Sequence, residues 1–201
     1  YAILGREVPS GGLPMDIGAA VLNAGCANAT REACRFNRPL VERIVTVSGD
    51  AVDRPGNWLA RIGTPAKELL SAAGMREDAV RKLIYGGPMM GHAHFDTAIP
   101  VAKGMSGILA LTDGRAFDWR NCIRCGRCVR GCPQRLLPSE LSILIEAARF
   151  QDSQAANLMD CIECGVCTYV CPARRPIVQW IRLAKGELQK ERLRQQAAAK
   201  K

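Results

Sequence analysis

The chain has 201 residues, of which 48% are hydrophobic and 23% charged, with ten cysteines and a formal net charge of +9. That balance belongs to a folded globular protein and excludes a disordered or fibrous one, and the length predicts two small domains. No window approaches 18 uninterrupted apolar residues, so no transmembrane helix is encoded and any membrane contact is expected to be peripheral.

Residues 1–38 are rich in Gly, Pro and Ala, with turn signals at "PSGGLP" and a short apolar run, helical or strand-like, at "DIGAAVLNAG". The N-terminus has neither an initiator methionine nor a signal-peptide pattern, so Tyr1 reads as the start of a piece of something larger. Cys26 and Cys34 match no ligand motif and are expected to be small buried residues. From about residue 39 strand and helix signals alternate. "ERIVTVSGD" is β-branched with period two, "PGN" makes a turn and "NWLARIG" continues as a strand. "TPAKELLSAAG" reads as a helix with Thr64 at the N-cap, Pro65 at its first position and Gly74 as the stop. "VRKLIYGG" and "SGILALT" supply two more strands around the turn-rich "GGPMMGHAHFDTAIP". That loop holds the chain's two histidines, His92 and His94, expected to be solvent-exposed loop residues rather than metal ligands. Strands, one helix and more strands over 39–112 predict a small α+β domain, for which a β-grasp is one solution.

The pattern changes at Asp113. "CIRCGRCVRGCP" begins at Cys122 and "CIECGVCTYVCP" at Cys161, so the same cysteine spacing returns 39 residues later. Each is followed by a helix signal. "PSELSILIEAARF" sets Leu141, Leu144, Ile145 and Ala148 on one face, and "PIVQWIRLAKG" does the same with Ile177, Trp180, Ile181 and Ala184, with Trp180 expected to serve helix packing. "GELQKERLRQQAAAKK" is helix-prone and charged without a continuous apolar stripe, and predicts a solvated extension.

Eight of the ten cysteines fall in those two groups, which argues against a spread disulfide framework and for metal binding in a reducing cytoplasm. A single Cys-x2-Cys suits one tetrahedral zinc. The full run C-x2-C-x2-C-x3-C-P is the bacterial ferredoxin spacing, in which the fourth cysteine ligates the other cluster. The spacing therefore predicts one 4Fe-4S cluster on Cys122, Cys125, Cys128 and Cys171, and a second on Cys161, Cys164, Cys167 and Cys132. Gly126, Gly131 and Gly165 suit a backbone wrapped round a cluster. Paired zinc sites are the competing reading. No nucleophile stands with a base, so electron relay is the expected role and no complete catalytic site is expected.

The charge is uneven. Residues 1–114 carry 12 Lys and Arg against 11 Asp and Glu, and 115–150 carry 7 against 3; residues 151–171 carry 0 against 3, and 172–201 carry 9 against 2. Arg124 and Arg127 lie inside the first loop with Arg120 and Arg130 beside it, whereas Asp160 and Glu163 mark the second. A unit charge at about 8 Å with an effective dielectric of about 20 is worth ~2 kcal/mol, on the order of 90 mV for one electron. The cluster on Cys122, Cys125 and Cys128 is accordingly expected to have the higher potential. The basic tail also raises nucleic-acid binding, but it is not interleaved with aromatics, which are only 5% of the chain, and no nucleic-acid partner is expected.

Three stretches in order, "GREVPSGGLPMDIGAAVLNAG", "YGGPMMGHAHFDTAIPVAKGMSGILAL" and the paired cysteine runs, resemble the C subunit of the bacterial Rnf electron-transport complex, also called RsxC. The resemblance extends to about Lys185. It implies an electron-relay subunit of a membrane-associated, ion-translocating oxidoreductase (a translocase) working between NADH and ferredoxin. It implies a peripheral place on the cytoplasmic face of the bacterial inner membrane, with other subunits of the complex as partners and a soluble ferredoxin or flavodoxin as a further one. The implied order is a remnant of a flavin and nucleotide domain at 1–38, an SLBB-like β-grasp at 39–112, a helical dicluster ferredoxin domain at 113–184 and a basic tail at 185–201. The glycine-rich flavin segment of the family is absent, so FMN and NADH are expected only in a domain upstream of Tyr1. The cobalamin reductase of bacterial microcompartments shares this architecture and is the alternative.

Overall fold

A computed structural model describes residues 3–114 and 118–199. Tyr1 and Ala2, residues 115–117 within the expected ferredoxin domain, and Lys200 and Lys201 of the expected tail lie outside the described residues. The described chain forms two compact units. One gathers the residues up to Ala20 and those from Asp118 onward, and the other runs from Val21 to Gly114.

The second of these units opens with a helix, α1 (Ala24–Phe36), where the sequence predicted only a short apolar run. Asn23 caps it, its side chain accepting from the Gly25 amide at 2.8 Å, and Asn37 ends it in the left-handed region at φ 51°. No residue of α1 is buried, and Cys26 and Cys34 are exposed, which corrects the expectation of a buried pair. Ala, Gly and polar residues form a helix here without supplying an apolar stripe to bury.

The remainder is a mixed five-stranded sheet. Its strands are β1 (Glu42–Ser48), β2 (Gly56–Arg61), β3 (Lys82–Tyr85), β4 (His92–His94) and β5 (Gly107–Leu111), in the order β2-β1-β5-β3-β4. β1 runs parallel to β5 and every other pair is antiparallel. A parallel pair needs a crossover, and the connection between them carries α2 (Ala66–Ala72), giving the α+β, β-grasp-like arrangement. In β1 the period-two pattern puts Val45 and Val47 in the core with Leu70, Val101, Ile108 and Ala110, while Ile44 faces outward. Gly49, at φ 123°, passes so close to β5 that a Cβ would lie 1.9 Å from the Ala110 carbonyl oxygen. Only glycine fits there.

Two further expectations are corrected in this unit. The N-cap of α2 is Pro65, with no side-chain cap, instead of Thr64. The first free amides of the helix are satisfied by passing backbone, Ala66 donating to Ile99 and Lys67 to Thr97, both at 2.9 Å, so no hydroxyl is needed. The turn-rich loop also contains β4, which pairs His94 with Leu83 and His92 with Tyr85. Both histidines are exposed, and the His94 ring meets Tyr85 edge-on at 5.1 Å.

The cysteine-rich unit is helical: α3 (Arg127–Arg130), α4 (Pro138–Glu146), α5 (Phe150–Ala155), α6 (Val166–Tyr169) and α7 (Ile177–Ala199). Leu141, Ile145, Leu158, Ile177, Ile181 and Ala184 form its buried core. The predicted face of α4 stops short of Ala148. The helix ends at Glu146, and Ala148, at φ 56°, is an exposed turn residue that sends the chain into α5. α7 runs unbroken into the expected extension; Leu188 is buried and the residues from Gln189 to Ala198 are exposed. The residues before Ala20 touch this unit through polar contacts, the Ser10 hydroxyl donating to the Asp160 carboxylate at 2.8 Å and Arg135 pairing with Glu7 at 3.4 Å.

Candidate metal centre

Each cysteine loop is shaped by the same local sequence. The residue two after the first cysteine takes a left-handed conformation, Arg124 at φ 55° and Glu163 at φ 56°. That conformation costs a non-glycine residue roughly 1–2 kcal/mol. It brings the amide of Arg124 to 3.4 Å from the Cys122 Sγ and that of Glu163 to 3.4 Å from the Cys161 Sγ. Gly126 at φ 72° and Gly165 at φ 84° then open the one-turn helices α3 and α6, which carry the third cysteines, Cys128 and Cys167, into buried positions. After the fourth cysteines the chain turns again through matching left-handed residues, Arg135 at φ 54° and Arg174 at φ 53°. The repeat in the cysteines is thus a repeat in the backbone.

The structure brings the eight cysteines together in two sets of four. One cavity, enclosing about 360 Å³ between the atoms and partly open, is lined by Cys122, Cys125, Cys128 and Cys171. The other, about 350 Å³, is lined by Cys132, Cys161, Cys164 and Cys167. Each set takes three thiols from one loop and the fourth from the other repeat. Among the described residues no three His, Cys, Asp or Glu side chains stand close enough together to hold a single ion. Four thiols ringed about a space, with backbone N–H groups turned toward sulfur, are a donor set that fits a multi-atom iron-sulfur cluster.

Burial raises the thiols of Cys128 and Cys161, and pushes that of Cys167 up to about 12. At Cys128 a hydrogen bond from the Ser139 hydroxyl partly offsets the effect. Metal ligands are thiolates, so filling these cavities releases protons.

The charges differ from what the sequence implied. Arg124, Arg127 and Arg130 are exposed around the first loop, and among the described residues no carboxylate pairs with them. Arg127 and Arg130 border an open groove with Tyr169 and Cys171. At the second loop Glu163 does not stand as a free negative charge: Arg182 reaches it at 2.9 Å and Lys185 at 3.2 Å. Burial works to raise its carboxyl, but the hydrogen bonds and charges of Arg182 and Lys185 outweigh burial and hold it below the usual range. Lys185 also donates to the Cys161 carbonyl at 2.6 Å.

Sequence reasoning missed Arg175. It is 2% exposed and lines the cavity of Cys122, Cys125, Cys128 and Cys171. Its Nη2 bonds the Glu146 carboxylate, its Nη1 donates to the Arg120 carbonyl at 3.4 Å, and its guanidinium lies 4.6 Å from the Trp180 ring and 5.5 Å from Trp119. Trp180 therefore packs as expected and also walls in a buried charge. Superposing the two repeats would have found the position, because Arg175 falls where the first repeat has Leu136.

Residues 44–93 match the SLBB domain family and residues 121–175 the 4Fe-4S dicluster domain family. The chain is 48% identical over 188 residues to the C subunit of the proton-translocating ferredoxin:NAD(+) oxidoreductase complex of Clostridium ljungdahlii, covering 92% of this chain and 41% of that protein. It is 44% identical over 194 residues to the C subunit of the ion-translocating oxidoreductase complex of Rhodobacter capsulatus, covering 96% and 37%. With the C subunit of the Na(+)-translocating ferredoxin:NAD(+) oxidoreductase complex of Acetobacterium woodii it shares 44% over 189 residues, covering 93% and 43%. The chain thus spans about two fifths of the length of these curated relatives.

Proposed function

This chain belongs to the C-subunit family of the Rnf-type ion-translocating oxidoreductase complexes, spanning less than half of its relatives' length, and we propose that it is that subunit's electron relay. It carries single electrons through two 4Fe-4S clusters within a membrane-associated NADH:ferredoxin oxidoreductase coupled to ion movement. Cys122, Cys125, Cys128 and Cys171 hold one cluster, and Cys161, Cys164, Cys167 and Cys132 the other. The observation that carries this reading is the pair of cavities, each lined by four thiols drawn from both repeats.

When bound, such clusters supply reversible one-electron chemistry. The chain's own part is to hold, orient and shield. Leu136, Leu141, Val178 and Ile181 keep one cavity dry, and the amides of Arg124 and Glu163 aim at ligand sulfurs. No helix of the described residues is long and apolar enough to cross a membrane. The chain attaches peripherally, on the cytoplasmic face of the bacterial inner membrane, to other subunits of the complex, and exchanges electrons with a ferredoxin or flavodoxin. FMN and NADH bind to the part of the family's length that this chain does not span. The chain is laid out as an SLBB-like, β-grasp domain over 39–112 and a dicluster domain over 113–184, and the relay belongs to the second.

Anaerobic purification followed by iron, acid-labile sulfide and zinc assays tests the proposal. Brown protein with about eight iron and about eight sulfide per chain is expected. Colourless protein holding about two zinc ions and no sulfide would sink it.

A further inference from the structure

Because one backbone pattern builds both cavities 39 residues apart, each lining residue has a counterpart. Arg175 and Ser139 line the cavity of Cys122, Cys125, Cys128 and Cys171, and Ser142 joins them. At the matching positions of the other cavity stand Leu136, Val178 and Ile181. Three polar side chains in one wall thus correspond to three apolar ones in the other. Of the three, Ser139 bonds the Cys128 sulfur and Ser142 is spent on the Ser139 carbonyl at 2.8 Å.

Arg175 is only partly spent. Both terminal nitrogens have partners, but its Nε is buried with no hydrogen-bond partner. A buried donor left unpaired bears the full cost of losing water, and native interiors rarely tolerate one. The residue borders the cavity in which four thiols converge, so an acceptor bound there accounts for the orphan. The Glu146 carboxylate, which takes the far end of the guanidinium, cancels much of its long-range field. What remains local is the N–H itself.

We propose that Arg175 separates the potentials of the two redox sites, its Nε–H donating to a sulfur of the cluster held by Cys122, Cys125, Cys128 and Cys171. This rests on reading both cavities as 4Fe-4S sites. Reduction adds one electron and no proton there; the added negative charge on sulfur strengthens the hydrogen bond, so the reduced form is favoured and the potential rises. The other cavity has Leu136 in that place, and Gln134, the one polar side chain besides the thiols in its lining, is exposed instead of buried. The asymmetry expected from exposed arginines is then set by a buried one, which solvent does not screen.

The test is an EPR-monitored redox titration of the chain and of its Arg175→Leu/Glu146→Gln variant, in which the carboxylate is not left unpaired. The reduction equilibrium of one cluster is expected to fall about tenfold, which is 59 mV for a one-electron couple, while the other stays in place. Two unmoved potentials, or two that move together, overturn the proposal. Should the variant not fold, the chain with arginine labelled ¹⁵N at Nε and with Arg175 and Glu146 kept, carrying Arg124→Lys, Arg127→Lys and Arg130→Lys, reads the contact directly. Hyperfine coupling of that nitrogen to one reduced cluster is expected, and its absence from both overturns the assignment. Metal analysis of the parent keeps the two ideas apart. Zinc without sulfide sinks the cluster reading, whereas about eight iron and about eight sulfide with no effect at Arg175 sinks only this inference.

Discussion

The cavity of Cys122, Cys125, Cys128 and Cys171 and that of Cys161, Cys164, Cys167 and Cys132 share a left-handed φ to within a degree at Arg124 and Glu163 and at Arg135 and Arg174. They differ in what lines them. Arg175, Ser139 and Ser142 on one side answer to Leu136, Val178 and Ile181 on the other. A repeated framework therefore guarantees two sites of one geometry, and the wall residues are free to make their environments unequal. The residues that shape a cavity and those that set its polarity are separate layers of the sequence.

The strongest way to break the comparison is to remove a shared ligand. Cys132→Ala takes a thiol from the first repeat but from the cavity of the second. Iron should drop from about eight to about four per chain, and the surviving EPR signal should belong to the cluster that Arg175→Leu/Glu146→Gln shifts. Survival of the other signal would mean that the ligands do not cross.

Next comes the metal-free chain. Cys167 has a folded pKa of about 12 against an ordinary 9.0, because burial disfavours its thiolate. A raised acid binds more protons folded than unfolded, so its contribution is fully present below pH 9 and is lost as pH rises toward 12. Stability should fall by roughly 1.4 kcal/mol per pH unit in that window, up to about 4 kcal/mol. Denaturant titrations of the apo chain at pH 8, 9.5 and 10.5 should show the decline, and Cys167→Ala should lessen it, leaving the smaller part that the raised thiols of Cys128 and Cys161 contribute. An unchanged slope in that variant would remove the dry cavity as its source.

A smaller effect is expected at Glu163. Glu163→Gln leaves Arg182 and Lys185 uncompensated beside the second loop, which raises the potential there and narrows the gap between the sites. The three side chains keep some exposure, so screening limits the change to roughly 20–50 mV, below the full effect of a unit charge at such a distance. A redox titration in which that cluster shifts downward would contradict it. The smallest change should follow Arg127→Gln. Its guanidinium is exposed and unpaired among the described residues, so the titration should move by less than about 20 mV. A larger shift there than at Arg175 would restore the exposed arginines as the source of the asymmetry.

Much of this was legible in the sequence. Cysteine spacing is dictated by the reach of a short loop, and Val45, Val47, Ile177 and Ile181 announce their burial by period. The SLBB-like, β-grasp and dicluster order also followed from such signals and from the resemblance. Less legible were features that depend on partners distant in the chain. Glu163 looks like a lone negative charge until α7 folds back with Arg182 and Lys185. Thr64 looks like a cap until the backbone at Thr97 and Ile99 serves α2 instead. The helix at Ala24–Phe36 is hidden because it buries nothing. Arg175 reads as one more surface cation, and only Glu146, Trp119 and Trp180 make it an interior one.

The exchange of Cys132 and Cys171 between the two rings also imposes a schedule on synthesis. As the chain leaves the ribosome, Cys122, Cys125 and Cys128 emerge first, yet their ring is closed last, only when Cys171 follows. The ring that holds Cys132 is complete slightly earlier, at Cys167. If the rings hold clusters as proposed, the nascent chain carries bare thiols until then, and the oldest of them wait longest for protection from oxidants.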